Sequence, residues 1–339
     1  MSNLRARIRL LAMIALTLCG ALTAHAQTPG PLPTATAGPP PCALCPLVAL
    51  TLATQVKPTS MVATATHVYF TDSKVLNKQL QVVPVGGGTP TLIWSKPNGS
   101  TAQSLITDGS TLFWVAWSTS SAQVYRRPLG FGPEALIFDN QSFNEPTGQA
   151  LALSGSELAY ANSSGNHLYR LTPASLPWTA TDVLPQYVPG TQGFYYAKNV
   201  LVVGNTVYFT RALPAQGLYK VPLAGGPGTF ITSADARSRL ASDATYLYYA
   251  TDDRIKRVSL SGGTAIDVAT VTEPPSALLL DGGYIYWACQ SCGTVTRLPL
   301  AGGIAKTMLS NAFGSPLSLA TNASRLFVGL DDKLVSVAK

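Results

Sequence analysis

"GLYKVPLAGG" at 217–226 and "TVTRLPLAGG" at 294–303 are nearly the same line written 77 residues apart, with "KRVSLSGG" at 256–263 between them. A β-type segment that closes on Pro and is followed by Gly-Gly reads as a strand end and a tight turn. Proline removes a ladder donor, and only a strand end or edge tolerates that loss. The glycines supply the conformational freedom for the reversal. Pro84, Pro128, Pro222 and Pro299 all take this place. A Gly-rich phosphate cradle would need a helix N-terminus behind it, and no helical pattern follows any of these turns.

Working outward, each such strand is preceded by an aromatic-rich triplet. These are "VYF" 68–70, "LFW" 112–114, "LAY" 158–160, "VYF" 207–209, "LYY" 247–249, "IYW" 285–287 and "LFV" 326–328, at spacings of 44, 46, 49, 40, 38 and 41 residues. Before each triplet stands a short apolar segment, and between the two a turn such as "DGS", "SGS", "GNT" or "DGG". A unit of this length holding four short strands predicts a propeller blade. The seventh unit stops at Lys339, after its third strand, whereas "PLVALTLAT" (46–54) has no inner partner of its own. Placing that segment as the outer strand of the seventh blade closes the ring and removes the open sheet edges. The expected fold is therefore an all-β, seven-bladed β-propeller over 46–339, closed by an N-terminal outer strand in the last blade, with six blades as the alternative.

The units resemble the bacterial secreted propellers related to YWTD-type repeats, the class found in low-density lipoprotein receptors. The resemblance spans 46–339 and is carried by "VYFTD" (68–72), "VYFTR" (207–211) and "IYWAC" (285–289), each followed by a third strand of the kind quoted above. It implies the fold and leaves the ligand open, because propellers serve many unrelated functions.

Residues 1–26 read as a signal peptide: Arg5, Arg7 and Arg9, an apolar stretch over 10–23, then Ala24-His25-Ala26 before a cut at Gln27. Lipidation at Cys19 would want a small residue before it, where Leu18 stands. Residues 27–45, with "QTPGPLPTATAGPPP" at 27–41, read as a Pro/Thr-rich linker. No later stretch has the length of a transmembrane helix, so the expected product is exported: periplasmic, extracellular or at the cell surface. Removing the leader lowers the formal charge from +7 to +4, and no Lys/Arg cluster exceeds an adjacent pair. Nucleic-acid binding needs clustered cations, so no nucleic-acid partner is expected.

Two CxxC pairs remain, Cys42/Cys45 and Cys289/Cys292. In the propeller register they enter from opposite faces, which opposes a shared four-thiolate zinc ion. An oxidising location favours a local disulfide in each pair; free or redox-active thiols and a metal are the alternatives.

Function in a propeller sits where blades differ, around the central channel. The residues leading into the seven first strands are Thr59/Ser60, Gln103/Ser104, Gln149/Ala150, Lys198/Asn199, Ser238/Arg239, Ser276/Ala277 and Leu317/Ser318. This set is polar, with two cations and no carboxylate. A lactonase-type divalent ion wants carboxylate and amide oxygens at such positions, so no metal and no cofactor is expected. His67 and His167 fall in different blades, and Asp252-Asp253 and Asp331-Asp332 read as charged hairpin turns. No GxSxG, HExxH or Ser/His/Asp arrangement is readable. Loop aromatics offer a further binding rim: Trp117 in the second blade, and Trp178, Tyr187, Phe194, Tyr195 and Tyr196 in the connection 172–199.

The resulting expectation is a non-catalytic binding scaffold for a protein, glycan or small ligand. The candidate contacts are Gln103, Gln149, Lys198, Asn199 and Arg239. The alternative is a lyase or lactonase-type hydrolase that uses the same groups on an anionic substrate, and a third reading is a structural envelope or adhesion component.

Overall fold

The structure is a computed structural model. It describes residues 48–339 except 75–78, 97–99, 119–120, 141–148, 163–166, 174–175, 185–196, 213–215 and 236–237. Among the described residues the strands form seven four-stranded antiparallel sheets. Six sheets are consecutive meanders, and the seventh pairs the N-terminal strand Leu50–Thr54 with the C-terminal strand Lys333–Ala338. The seven-bladed ring and its N-terminal closing strand are those that the repeat predicts.

Burial explains the sequence of each strand type. The second strands, such as His67–Asp72, Thr206–Arg211 and Tyr284–Cys289, are buried at nearly every position. Each is covered by a neighbouring blade on both faces, so its pattern is a continuous apolar run rather than an alternation. Outer strands such as Thr229–Thr232 are largely exposed and carry no aromatic triplet.

The core lies between blades. It divides into seven apolar clusters, each drawn from two adjacent blades. Tyr69, Leu80 and Trp94 of blade 1 meet Leu112, Trp114 and Tyr125 of blade 2. Leu52, Phe327 and Leu334 of blade 7 meet Met61, Val68 and Phe70 of blade 1. One seam per pair of neighbours, including the pair 7–1, is what a closed ring requires. Burying one such aromatic or aliphatic side chain stabilises by roughly 1.5–3 kcal/mol.

The Gly-Gly turns have a second task. Gly87 and Gly88 have φ of 89° and 145°, where an L side chain is strained. The Gly88 N–H donates to the Leu52 carbonyl of blade 7 (3.0 Å), and the Gly226 N–H donates to the Val183 carbonyl (3.1 Å), just past the outer strand of blade 3. A Cβ on Gly87 would stand 3.3 Å from Leu52 backbone atoms. In these two blades the repeated "GG" both turns the chain and docks it on the preceding blade.

Trp117 differs from its expected loop position. It ends the second strand Thr111–Trp117 and packs, partly buried, on the seam between blades 2 and 3. Trp178 is buried in the same seam, its ring 6.1 Å from that of Phe113. Both serve the core rather than a rim, because a blade seam buries large rings more completely than a loop does. Tyr187, Phe194, Tyr195 and Tyr196 lie outside the described residues. No helix among the described residues is long and apolar enough to cross a membrane.

Candidate functional site

The inner strands begin at one face of the ring and line the central channel. They are Pro58–Ala63, Thr101–Thr107, Gln149–Ser154, Ala197–Val203, Leu240–Ser242, Ala277–Asp281 and Pro316–Thr321. Their first residues surround a cavity of about 460 Å³ at the channel mouth, lined from all seven blades. Gln103, Asn199 and Arg239 are three of its walls, with Ser60, Ser276 and Ser318 between them. The backbones of Gln149 and Lys198 lie in the inner strands of blades 3 and 4; their side chains lie outside the described residues. Among the described lining residues none is Asp, Glu, His or Lys.

The local geometry comes from bulges. The pairing of first and second strands slips at Pro58/Ser60, Gln103/Ile106, Ala197/Val200 and Pro316/Ser318. A bulge inserts an unpaired residue and re-aims side chains, and here it does so at the mouth in four blades. Ser104 within one of them has φ of 53°, outside the common regions for a non-glycine residue. Two bulges are held by a buried threonine on the second strand. Thr71 Oγ1 accepts from the Ser60 N–H (3.1 Å), and Thr210 Oγ1 accepts from the Asn199 N–H (3.2 Å). Both threonines are fully buried, and both were on view in "VYFTD" and "VYFTR" without their role being readable.

The hydroxyls divide the mouth into two kinds of wall. From blade 6 through 7 and 1 to 2 they stitch neighbours together. Ser276 Oγ donates to the Pro316 carbonyl (2.8 Å) and Ser318 Oγ to the Pro58 carbonyl (2.7 Å). Ser60 Oγ accepts from the Leu105 N–H (2.9 Å). Elsewhere donors are left over. Gln103 Nε2 is buried without a hydrogen-bond partner. Arg239 has no ion-pair or hydrogen-bond partner among the described residues. Its side chain is exposed to the water of the cavity it lines, with neighbouring blades displacing part of its hydration. That desolvation alone holds its pKa below the usual guanidinium value.

The remaining candidates do not join the mouth. Cys289 and Cys292 form a disulfide across the hairpin of blade 6, with Cα atoms 5.3 Å apart. Glu273 Oε1 accepts from the Ser291 N–H (2.7 Å) and lies 3.1 Å from Cys289 Sγ. This Cys-Cys-Glu group is compact enough to hold a cation, but sulfurs joined to each other offer no thiolate ligand. Cys42 and Cys45 lie outside the described residues. His67 starts the second strand of blade 1. His167 starts the third strand of blade 3, where its Nδ1 pairs with Asp182 at 2.6 Å. Asp253 and Asp332 pair with their neighbours Arg254 and Lys333 at 3.4 and 3.8 Å.

No family model and no curated protein matches the chain. Solved structures do. A catalytically inactive virginiamycin B lyase from Staphylococcus aureus with quinupristin aligns with TM-score 0.66 at 15% identity, over 86% of this chain and 98% of that one. YCF48 bound to D1 peptide aligns with TM-score 0.63 at 12% identity, over 90% and 100%. A nidogen/laminin complex aligns with TM-score 0.53 at 13% identity, over 79% and 99%. The chain is a β-propeller. At these identities the likeness is one of fold alone, and an enzyme and a peptide-binding protein share it.

Proposed function

We propose that this chain is an exported, non-catalytic propeller that binds its ligand at the channel mouth. The observation that carries the reading is the composition of that cavity. Hydroxyl, amide and guanidinium groups from the blades ring about 460 Å³ of space. Among the described residues no carboxylate or imidazole stands there to act as a general base. A concave site with a few convergent polar groups is the ordinary form of a ligand pocket. Neighbours of this fold include a lyase with quinupristin, YCF48 bound to D1 peptide and a nidogen/laminin complex, which is compatible with a binding role without naming the ligand. Export rests on the leader "MSNLRARIRLLAMIALTLCGALTAHA" and is compatible with the disulfide.

The test is thermal-shift screening of the full chain against small carboxylates, sugars and short peptides, beside Leu317→Trp, which fills the mouth. The reading expects ligands that raise the midpoint of the wild type and not of the variant. Ligands that stabilise both equally would place binding elsewhere. N-terminal sequencing of the exported protein is expected to begin at Gln27.

A further inference from the structure

We propose that the ligand of this mouth carries a carboxylate, held by the Arg239 guanidinium. The inference rests on the binding reading above and names the chemistry of its ligand.

The contrast with other cations decides it. Several cations away from the channel are paired with carboxylates: Arg170 with Glu157 at 2.5 Å, Lys256 with Asp267 at 2.9 Å, and Lys339 with Asp281. Arg239 lines the cavity with its side chain open to the cavity water, and no described lining residue is a carboxylate. A guanidinium so placed is free to take an anion as its partner. The hydroxyls of Ser60, Ser276 and Ser318 are engaged between blades, and a neutral hydroxyl does not balance a guanidinium charge. The missing partner is therefore one that arrives from solution.

The group matters as much as its charge. A guanidinium presents parallel N–H donors that match a planar carboxylate in a bidentate pair. A narrow channel with low-dielectric walls focuses its field and raises the local concentration of anions. Among the described lining residues Arg239 is the one cation, and one cation balances a monocarboxylate rather than a phosphate dianion. Met61, Leu105, Leu151 and Leu278 line the same cavity, so an apolar body finds apolar walls.

The test uses calorimetric titration of the full chain with three probes: benzoate, its neutral isostere benzamide, and inorganic phosphate. Benzoate is expected to bind one to one, about tenfold or more tighter than either of the others, the worth of one charge-assisted hydrogen bond. Arg239→Gln should remove that preference and leave benzamide unchanged. Arg239→Lys, which keeps the charge and loses the fork, should fall between. Circular dichroism checks that both variants fold. Equal binding of benzoate and benzamide, unmoved by Arg239→Gln, would overturn the carboxylate and leave a binding mouth. Tightest binding by phosphate would overturn the carboxylate in favour of a phosphoryl group. Failure of every probe, with no ligand sensitive to Leu317→Trp, would overturn the inference and the binding reading together.

Discussion

Two arcs of one ring, built from the same repeat, treat their polar groups in opposite ways. From blade 6 through 7 and 1 to the edge of blade 2, Ser276, Ser318 and Ser60 reach across to the next blade and close its hydrogen bonds. In blade 2 and at blade 5, Gln103 Nε2 and Arg239 close none. The first arc is where the strand Leu50–Thr54 pairs with Lys333–Ala338, and there these three hydroxyls serve the fold. In the second, polar groups are kept at a cost to stability, which is the usual mark of a site shaped for something other than folding. Polar groups around one mouth thus divide by what they touch.

Substitutions can break that contrast, and the largest effect is expected on the stitched side. Gly329→Ala places a Cβ 2.5 Å from Ser318 Oγ and 2.6 Å from the Pro58 carbonyl, so the closing seam must shift. A loss of about 1–3 kcal/mol in urea unfolding is expected, the size of an overpacked core substitution. Ser318→Ala leaves the buried Pro58 carbonyl without its donor and should lose about 1–2 kcal/mol by the same measurement.

A smaller effect sharpens the comparison from outside the mouth. The hydrogen bond from Arg170 holds the Glu157 carboxyl below its ordinary value of 4.5. A depressed folded pKa contributes stability that is present above the unfolded value and lost as pH falls through the folded one. The urea midpoint should therefore drop below about pH 4.5, and Glu157→Gln should flatten that part of the profile. The pair is partly exposed, so its share stays within about 1 kcal/mol. The smallest change is expected on the open side, where Gln103→Leu and Arg239→Met each stay within about 0.5 kcal/mol of the wild type or exceed it.

The fold was legible because its signals are local and repeated. The triplet "LFW" 112–114 is apolar throughout because Thr111–Trp117 is covered on both faces, and Pro222-Leu-Ala-Gly-Gly marks its turn with its own residues. The ring of mouth residues followed from the same register. What each does there did not. The Ser318 hydroxyl meets a carbonyl 260 residues away, and no pattern along the chain records such a pairing. The bulges at Gln103/Ile106 and Ala197/Val200 depend on how a second strand's threonine or neighbour answers the first. Trp117 looked like a loop residue because "STSS" (118–121) follows it, whereas the strand runs through it into the seam. That Arg239 has no partner among the described residues depends on what the other blades bring to the mouth, so only the assembled ring displays it.

The most direct test of the central claim is the urea unfolding midpoint of the Gln103→Leu/Arg239→Met double variant. If these donors are held for a ligand, the unliganded variant should unfold at the wild-type midpoint or above it, with an unchanged slope. A midpoint lowered by as much as that of Ser318→Ala would mean that both groups hold the fold, and the division of the mouth into two arcs would be wrong.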